Sequence, residues 1–249
     1  MIGSHSRKRL KVKNDLDDDE TVQDNLNRLS QTAIEPSREQ LIRLKLKDDG
    51  TFDETDKKSL KSMSLRDFIL NHPVLGPFQV IASKENGIDI EGIAADGDDK
   101  LYIGFRGPRL RDNYIPVLVL QPKMGKEENF KKKFSEKDVA QEVRYVNLDG
   151  LGIRGMATVE KGFLILGGPV GDEPLPYHVF FWDGENMVPG KNRRKAKQSH
   201  IKTLCKIPVP KNIKAEGITI LKEEPGTYLF MIVYDGAEHG GADIFSCDA

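Results

Sequence analysis

The fold the sequence predicts is all-β and β-propeller-like, and three observations predict it. From residue 88 onward, short apolar runs follow one another, separated by Gly, Pro and Asp clusters and with little helical periodicity between them. A motif of a charged residue, a glycine and an apolar pair recurs at Gly92, Gly155 and Gly217, 63 and 62 residues apart. Roughly four runs fall within each repeat, the strand number of a propeller blade. Strands alternating in a sandwich or barrel would also give short runs, but not a matched motif at near-equal spacing.

The elements follow in chain order. Residues 7–37 are polar and contain the run Asp17-Asp18-Asp19-Glu20. That run lacks the glycine and distal glutamate of a calcium-binding loop and reads as a solvated segment or a helix start, where carboxylates suit the dipole. Val22, Leu26 and Leu29 recur at helical spacing and predict a short helix around 20–32. Ile42, Leu44 and Leu46 alternate with Arg43, Lys45 and Lys47, which predicts a half-buried strand closed by the turn residues Asp48-Asp49-Gly50. Ser64-Leu65-Arg66-Asp67 resembles a capping box and opens a short helix that must end before Pro73.

Ten strand runs follow: Ile90–Ala95, Leu101–Phe105, Ile115–Leu120, Val143–Leu148, Arg154–Val159, Gly162–Leu166, His178–Trp182, Thr203–Ile207, Gly217–Leu221 and Tyr228–Tyr234. The stretch from Ala242 to Cys247 alternates weakly and reads as a last strand. Two polar insertions, 123–142 and 186–202, interrupt the series. The second carries Lys191, Arg193, Arg194, Lys195, Lys197 and Lys202 without an acid, but it has no aromatic residue on which a base could stack. It reads as a solvated loop, which argues against a nucleic-acid partner. The chain is thus one propeller-like domain over 1–249. Residues 1–87 form an incomplete first blade with a polar and helical insertion, and 88–150, 151–213 and 214–249 are successive blades.

Composition narrows the function classes. The 249 residues carry 38 Lys and Arg against 39 Asp and Glu, a formal net charge of −1, so no global basic field exists. No apolar run approaches the ~20 residues of a membrane span. Nothing near Met1 has the apolar core of a secretory leader, which makes a cytoplasmic location the default expectation. Cys205 and Cys247 are far apart and outside any CxxC pattern, so neither a disulfide scaffold nor a cysteine-rich zinc site is expected.

Blade geometry then places the charges. The start of a blade's first strand and the end of its second meet at one mouth of the central channel. Asp89, Glu91, Arg154 and Glu216 stand at first-strand starts; Arg106, Arg109, Asp172, Asp235 and His239 stand at second-strand ends. Convergent acids and arginines in a concave mouth are what a polar ligand needs, although ion pairs tying blades together would give the same pattern.

At these residues a family likeness enters. Gly3-Ser4-His5-Ser6 with Lys8, Asp89-Ile90-Glu91-Gly92, Gly104-Phe105-Arg106-Gly107-Pro108, Leu151-Gly152-Ile153-Arg154-Gly155 and Ala215-Glu216-Gly217-Ile218 together resemble a mainly bacterial family of uncharacterised propeller-like domains, catalogued as a domain of unknown function. The resemblance spans nearly the whole chain and implies a β-propeller, but no activity. Members of that family carry further strands before the Gly-Ser-His-Ser motif. The comparison therefore implies about three and a half blades here and an opening blade without its first strands. It also places His5 at the end of a second strand, among the mouth residues.

Two functions fit. The first is a binding module holding a polar or anionic ligand, or a protein partner, at the channel mouth, with His5, Arg106, Arg109 and Arg154 as ligand contacts. The alternative is a calcium-assisted, phytase-like phosphoester hydrolase. There Asp89, Glu91, Glu216 and Asp235 supply hard oxygens to calcium, and Arg106, Arg154 and His5 hold phosphate. Nucleophilic hydrolysis is a distant third: the chain has no GxSxG elbow, and adjacent residues of Ser4-His5-Ser6 point to opposite faces of a strand. Gly167-Gly168-Pro169-Val170-Gly171 lacks the Lys-Ser/Thr of a phosphate loop and reads as a turn.

Overall fold

The computed structural model describes the chain except residues 16, 18, 53–59, 98–99, 122–139, 190–199, 238–239 and 249. Most of the two polar insertions, including Lys131–Lys133 and the cations from Lys191 to Lys197, therefore lies outside the described residues, as does His239. Among the described residues the architecture is mostly β, with two α-helices and five small antiparallel sheets, none of them closed.

The first 87 residues hold β1 (Arg7–Arg9), α1 (Val22–Ser30), β2 (Thr32–Ile34), β3 (Leu41–Leu44), β4 (Leu60–Met63) and α2 (Arg66–Asn71). Helix α1 starts at a true capping box: the Thr21 hydroxyl accepts from the Asp24 backbone N–H, and the Asp24 carboxylate accepts from that of Thr21. The box expected at Ser64 does not form. Leu65 is the N-cap of α2, and the Ser64 hydroxyl instead accepts from the Arg66 N–H, a local turn. The helix ends at Asn71, ahead of Pro73, as its sequence requires. Strands β1 and β2 pair, as do β3 and β4, and Ile2 forms a single bridge to Leu41.

Three larger sheets follow in sequence order. The first comprises β5 (Asp89–Ala95), β6 (Leu101–Gly107), β7 (Tyr114–Gln121) and β8 (Ala140–Asn147). The second comprises β9 (Gly152–Val159), β10 (Gly162–Gly168), β11 (Tyr177–Trp182) and β12 (Ile201–Ile207). The third comprises β13 (Lys214–Glu224), β14 (Thr227–Asp235) and β15 (Gly241–Asp248). In each, every strand pairs with its neighbour in sequence. Strands β5, β9 and β13 lead their sheets, and β9 packs against both β5 and β13.

Strands β9 to β11 of the second sheet are largely buried on both faces, which is why they read as mostly apolar runs, whereas β12 is half exposed. Phe163, Ile165, Phe180 and Trp182 point to the core shared with the first sheet and residues 41–88. Leu164, Leu166, Tyr177 and Val179 point to the core shared with the third. The aromatic rings are core: Phe163 lies 4.3 Å from Tyr102 and 5.5 Å from Trp182 between centroids. The repeat glycines permit this stacking. A side chain at Gly92 would strike Ile153 and Met156 of β9, and one at Gly155 would press on Gly217 and Ile218 of β13.

One expectation is corrected. Cys205 of β12 and Cys247 of β15 form a disulfide across 42 residues, with Cα atoms 6.0 Å apart. It joins the outermost strands of the second and third sheets, a contact that sequence spacing does not reveal. Among the described residues, no helix is long and apolar enough to cross a membrane.

Candidate functional site

The candidate site lies where β5, β9 and β13 begin and β6 ends, and it is built by three β-bulges. Between the pairs Ile90–Phe105 and Gly92–Gly104 the extra residue is Glu91. Between Ile153–Gly167 and Gly155–Leu166 it is Arg154. Between Ala215–Tyr234 and Gly217–Val233 it is Glu216. The charged residue before each repeat glycine is thus the bulge residue of its sheet, and a bulge re-aims the side chain it carries.

These side chains meet in a chain of ion pairs running from sheet to sheet. Arg106 contacts Asp89 at 2.5 Å and Glu91 at 2.9 Å. Arg154 contacts the second oxygen of Glu91 at 3.0 Å, although not in hydrogen-bond alignment. Its other nitrogen pairs with Glu216. The Arg154 side chain is only 2% exposed, that of Glu216 29%. Three carboxylates thus share two guanidiniums in a poorly solvated place, and burial dominates the acidity of Glu91 and Asp89. The Glu91 carboxyl is pushed up to about 7 by desolvation, against the pull of Arg154 and Arg106. Desolvation pushes Asp89 up to about 6 in the same way.

Both folded values lie above the ordinary ones, so the folded chain keeps protons that the unfolded chain has lost. Stability from these groups is present at low pH and falls as pH rises from about 4 through about 7. The readout is the stability difference between the wild type and Glu91→Gln, from urea unfolding at several pH values. The stability of the wild type relative to the variant should fall by about 3 kcal/mol between about pH 4 and pH 8. A difference independent of pH would mean that Glu91 is not held in this desolvated state.

Beside the network lies a cleft of about 820 Å³, between the loop after β10 and the loop joining β12 to β13. Arg154 is in its wall, with Lys206, Lys211 and Lys214. The nearby acids are already engaged. Asp172 takes Lys84 at 2.6 Å and Arg9 at 3.3 Å, and Glu173 accepts from the Gly171 N–H. The three lysines have no carboxylate within ion-pair distance among the described residues. Sequence reasoning missed them; the available signal was the Pro208-Val209-Pro210 turn flanked by cations.

The remaining sequence candidates stand elsewhere. His5 is buried, with a positive φ; its Nδ1 bonds the Gly3 carbonyl and its Nε2 accepts from the Leu65 N–H. It pins the chain start to the segment before α2 and is outside the ion-pair chain. Arg109 donates to the Gly150 carbonyl at 3.0 Å. Asp235 is the register partner of Lys214 and is exposed. Asp89, Glu91, Arg106, Arg154 and Glu216 are the five that come together.

The carboxylates fit calcium poorly as placed. Asp89, Glu91 and Glu216 are each in contact with a guanidinium, and the described residues contain no cluster of three or more His, Cys, Asp or Glu able to hold a metal ion. No curated protein and no solved structure matches the chain. One family model does, over residues 1–242, almost the entire length: its description is "Protein of unknown function (DUF3616)". The chain belongs to this family.

Proposed function

We propose that the protein is a binding module whose three larger sheets are propeller-like blades, and that it holds a polar anionic ligand in the cleft at their strand-start end. One observation carries the reading: Lys206, Lys211 and Lys214 line the cleft with no carboxylate within ion-pair distance among the described residues, Asp172 acting on Lys214 only from farther away. Arg154 adds support, since its buried Nε lacks a hydrogen-bond partner among those residues. An anion of phosphate type suits such a wall, because charge-assisted hydrogen bonds from lysine and arginine are strong. The blade reading is supported by the sequential strand order of each sheet and by β9 packing against both β5 and β13. The Cys205–Cys247 disulfide favours an oxidising compartment over the cytoplasmic default.

The test is calorimetric titration with inositol hexakisphosphate and, separately, inorganic phosphate, for the wild type and for a variant with Lys206, Lys211 and Lys214 all changed to serine. The variant should bind at least about tenfold more weakly, since each charge-assisted bond lost costs on the order of 1.5 kcal/mol or more. Equal binding by both proteins, or none by the wild type, would remove the cleft as the site. Calcium-assisted phosphoester hydrolysis is the alternative reading. It needs Asp89, Glu91 and Glu216 to exchange guanidinium partners for the metal. A chelator-reversible rise in Tm on adding calcium alone would favour it.

A further inference from the structure

We infer that the chain holds a second anion, a compact and multiply charged oxyanion of diphosphate type, in a cleft beside the β1–β2 hairpin. The cleft measures about 270 Å³. Segments distant in sequence form it: residues 6–9 with Lys11, Glu35 with Arg38, and residues 82–84. Six cations stand in its wall, Arg7, Lys8, Arg9, Lys11, Arg38 and Lys84. The chain as a whole is close to neutral, so this is a local accumulation that composition does not explain.

Ion pairs within the protein do not neutralise it. Glu35 takes Arg38 at 2.5 Å and Lys8 at 3.9 Å. Asp172, reaching over from the loop after β10, takes Lys84 at 2.6 Å and Arg9 at 3.3 Å. Two carboxylates thus serve four cations. Arg7 and Lys11 have no carboxylate within ion-pair distance among the described residues. The four pairs are solvent-accessible, and pairs of that kind contribute little, so their cations can turn to a stronger anion at small cost.

Arg7 is the anchor. Its Nε donates to the Gln79 carbonyl at 3.1 Å, which fixes the plane of the guanidinium. Its terminal nitrogens have no partner among the described residues. A planar fork held at one edge and open at the other offers parallel donors to a phosphate-type group. The size of the cleft selects the ligand. It lies just below the ~300 Å³ at which clefts begin to hold drug-sized molecules, which excludes a nucleotide. No aromatic side chain among the described residues lines it to stack a base. No residue lines both this cleft and the one beside Arg154, so the inference does not rest on the first site.

The experiment is calorimetric titration of the full chain with sodium diphosphate in metal-free buffer. It is made on the wild type and on the chain with Lys206, Lys211 and Lys214 changed to serine, which removes the first cleft's cations. Three variants accompany each. Lys8→Gln with Lys11→Gln removes two exposed charges from the second cleft. Arg7→Lys keeps the charge and removes the fork. Lys161→Gln with Lys222→Gln removes two exposed charges outside the cleft wall, as the control. A cooperative thermal melt verifies the folding of each. The triple-serine chain should still bind diphosphate. The Lys8 and Lys11 changes should weaken that binding at least about tenfold, and Arg7→Lys about tenfold, the size of a lost charge-assisted bond. The control should bind as its parent does. Loss of binding in the triple-serine chain overturns the proposal, because the anion would then belong to the first cleft. So does unchanged binding after the Lys8 and Lys11 changes or after Arg7→Lys. So does a control weakened as much as the cleft variants, which would mean a diffuse field and no site.

Discussion

Replacing Arg154 with methionine is expected to destabilise the fold by about 3–5 kcal/mol at about pH 9, where Glu91 is ionised in the wild type, the usual cost of removing one partner from a buried ion pair. Methionine keeps much of the length and apolar volume, so packing against Gly168 and Tyr177 changes little while the charge disappears. Glu91 would keep only Arg106, which already serves Asp89, and Glu216 would lose its arginine. The penalty arises from stranded carboxylates rather than from a lost attraction, and this gives a second readout. Adding Glu91→Gln to Arg154→Met should recover more than about 1 kcal/mol, a coupling of the size that contacting residues show. Urea unfolding of the wild type, both single variants and the double variant at about pH 9 measures all of this. A loss below about 1 kcal/mol for Arg154→Met would show that the guanidinium is not a buried partner of those acids.

The motif that makes Arg154 central is legible in the amino-acid sequence; the geometry of the motif is not. All ten apolar runs are strands because their composition and turn residues encode local backbone preference. The charged residue preceding each repeat glycine is likewise visible as a pattern at Glu91, Arg154 and Glu216. Period-two reasoning alone puts Asp89 and Glu91 on one face and leaves them there. The bulge at Glu91 adds a residue to one strand only, a property of pairing between strands that a single strand's sequence does not carry. The same limit explains the misses. The lysines of the cleft and the Cys205–Cys247 bond join loops or strands of different sheets, so local spacing says nothing about them. His5 reads as a ligand group in the sequence because imidazole is versatile. In the fold, two backbone bonds occupy its ring nitrogens, and burial holds its pKa below the ordinary value, so it is not a cation that could attract an anion. Val22, Leu26 and Leu29 predict helix α1, but periodicity carries no sign that this stripe stays exposed.

The start of β9 can reach the end of β6, and so deliver Arg154 to Glu91, only because residue 152 has no side chain. A Cβ built on Gly152 would lie 2.1 Å from the Arg106 carbonyl oxygen and 2.9 Å from its carbon. Both are backbone atoms of a fully buried strand, so no flexible side chain can move aside. Gly152→Val should therefore cost at least about 3 kcal/mol, at or beyond the upper end of overpacking in well-packed cores. Gly152→Ala should already be clearly destabilising, since even a methyl group meets that carbonyl. Gly97 provides the control: among the described residues nothing lies within 4 Å of a Cβ built there, and Gly97→Ala should change stability by no more than about 0.5 kcal/mol. Because Arg154 is two residues downstream, the Gly152 variants should also weaken the Glu91 pair. The stability difference on adding Glu91→Gln should then be smaller in the Gly152→Ala background than in the wild type. Wild-type stability for Gly152→Val, measured by urea unfolding beside the Gly97 control, would mean that β9 and β6 do not approach this closely. The ion chain would then need another way to bring Arg154 to Glu91.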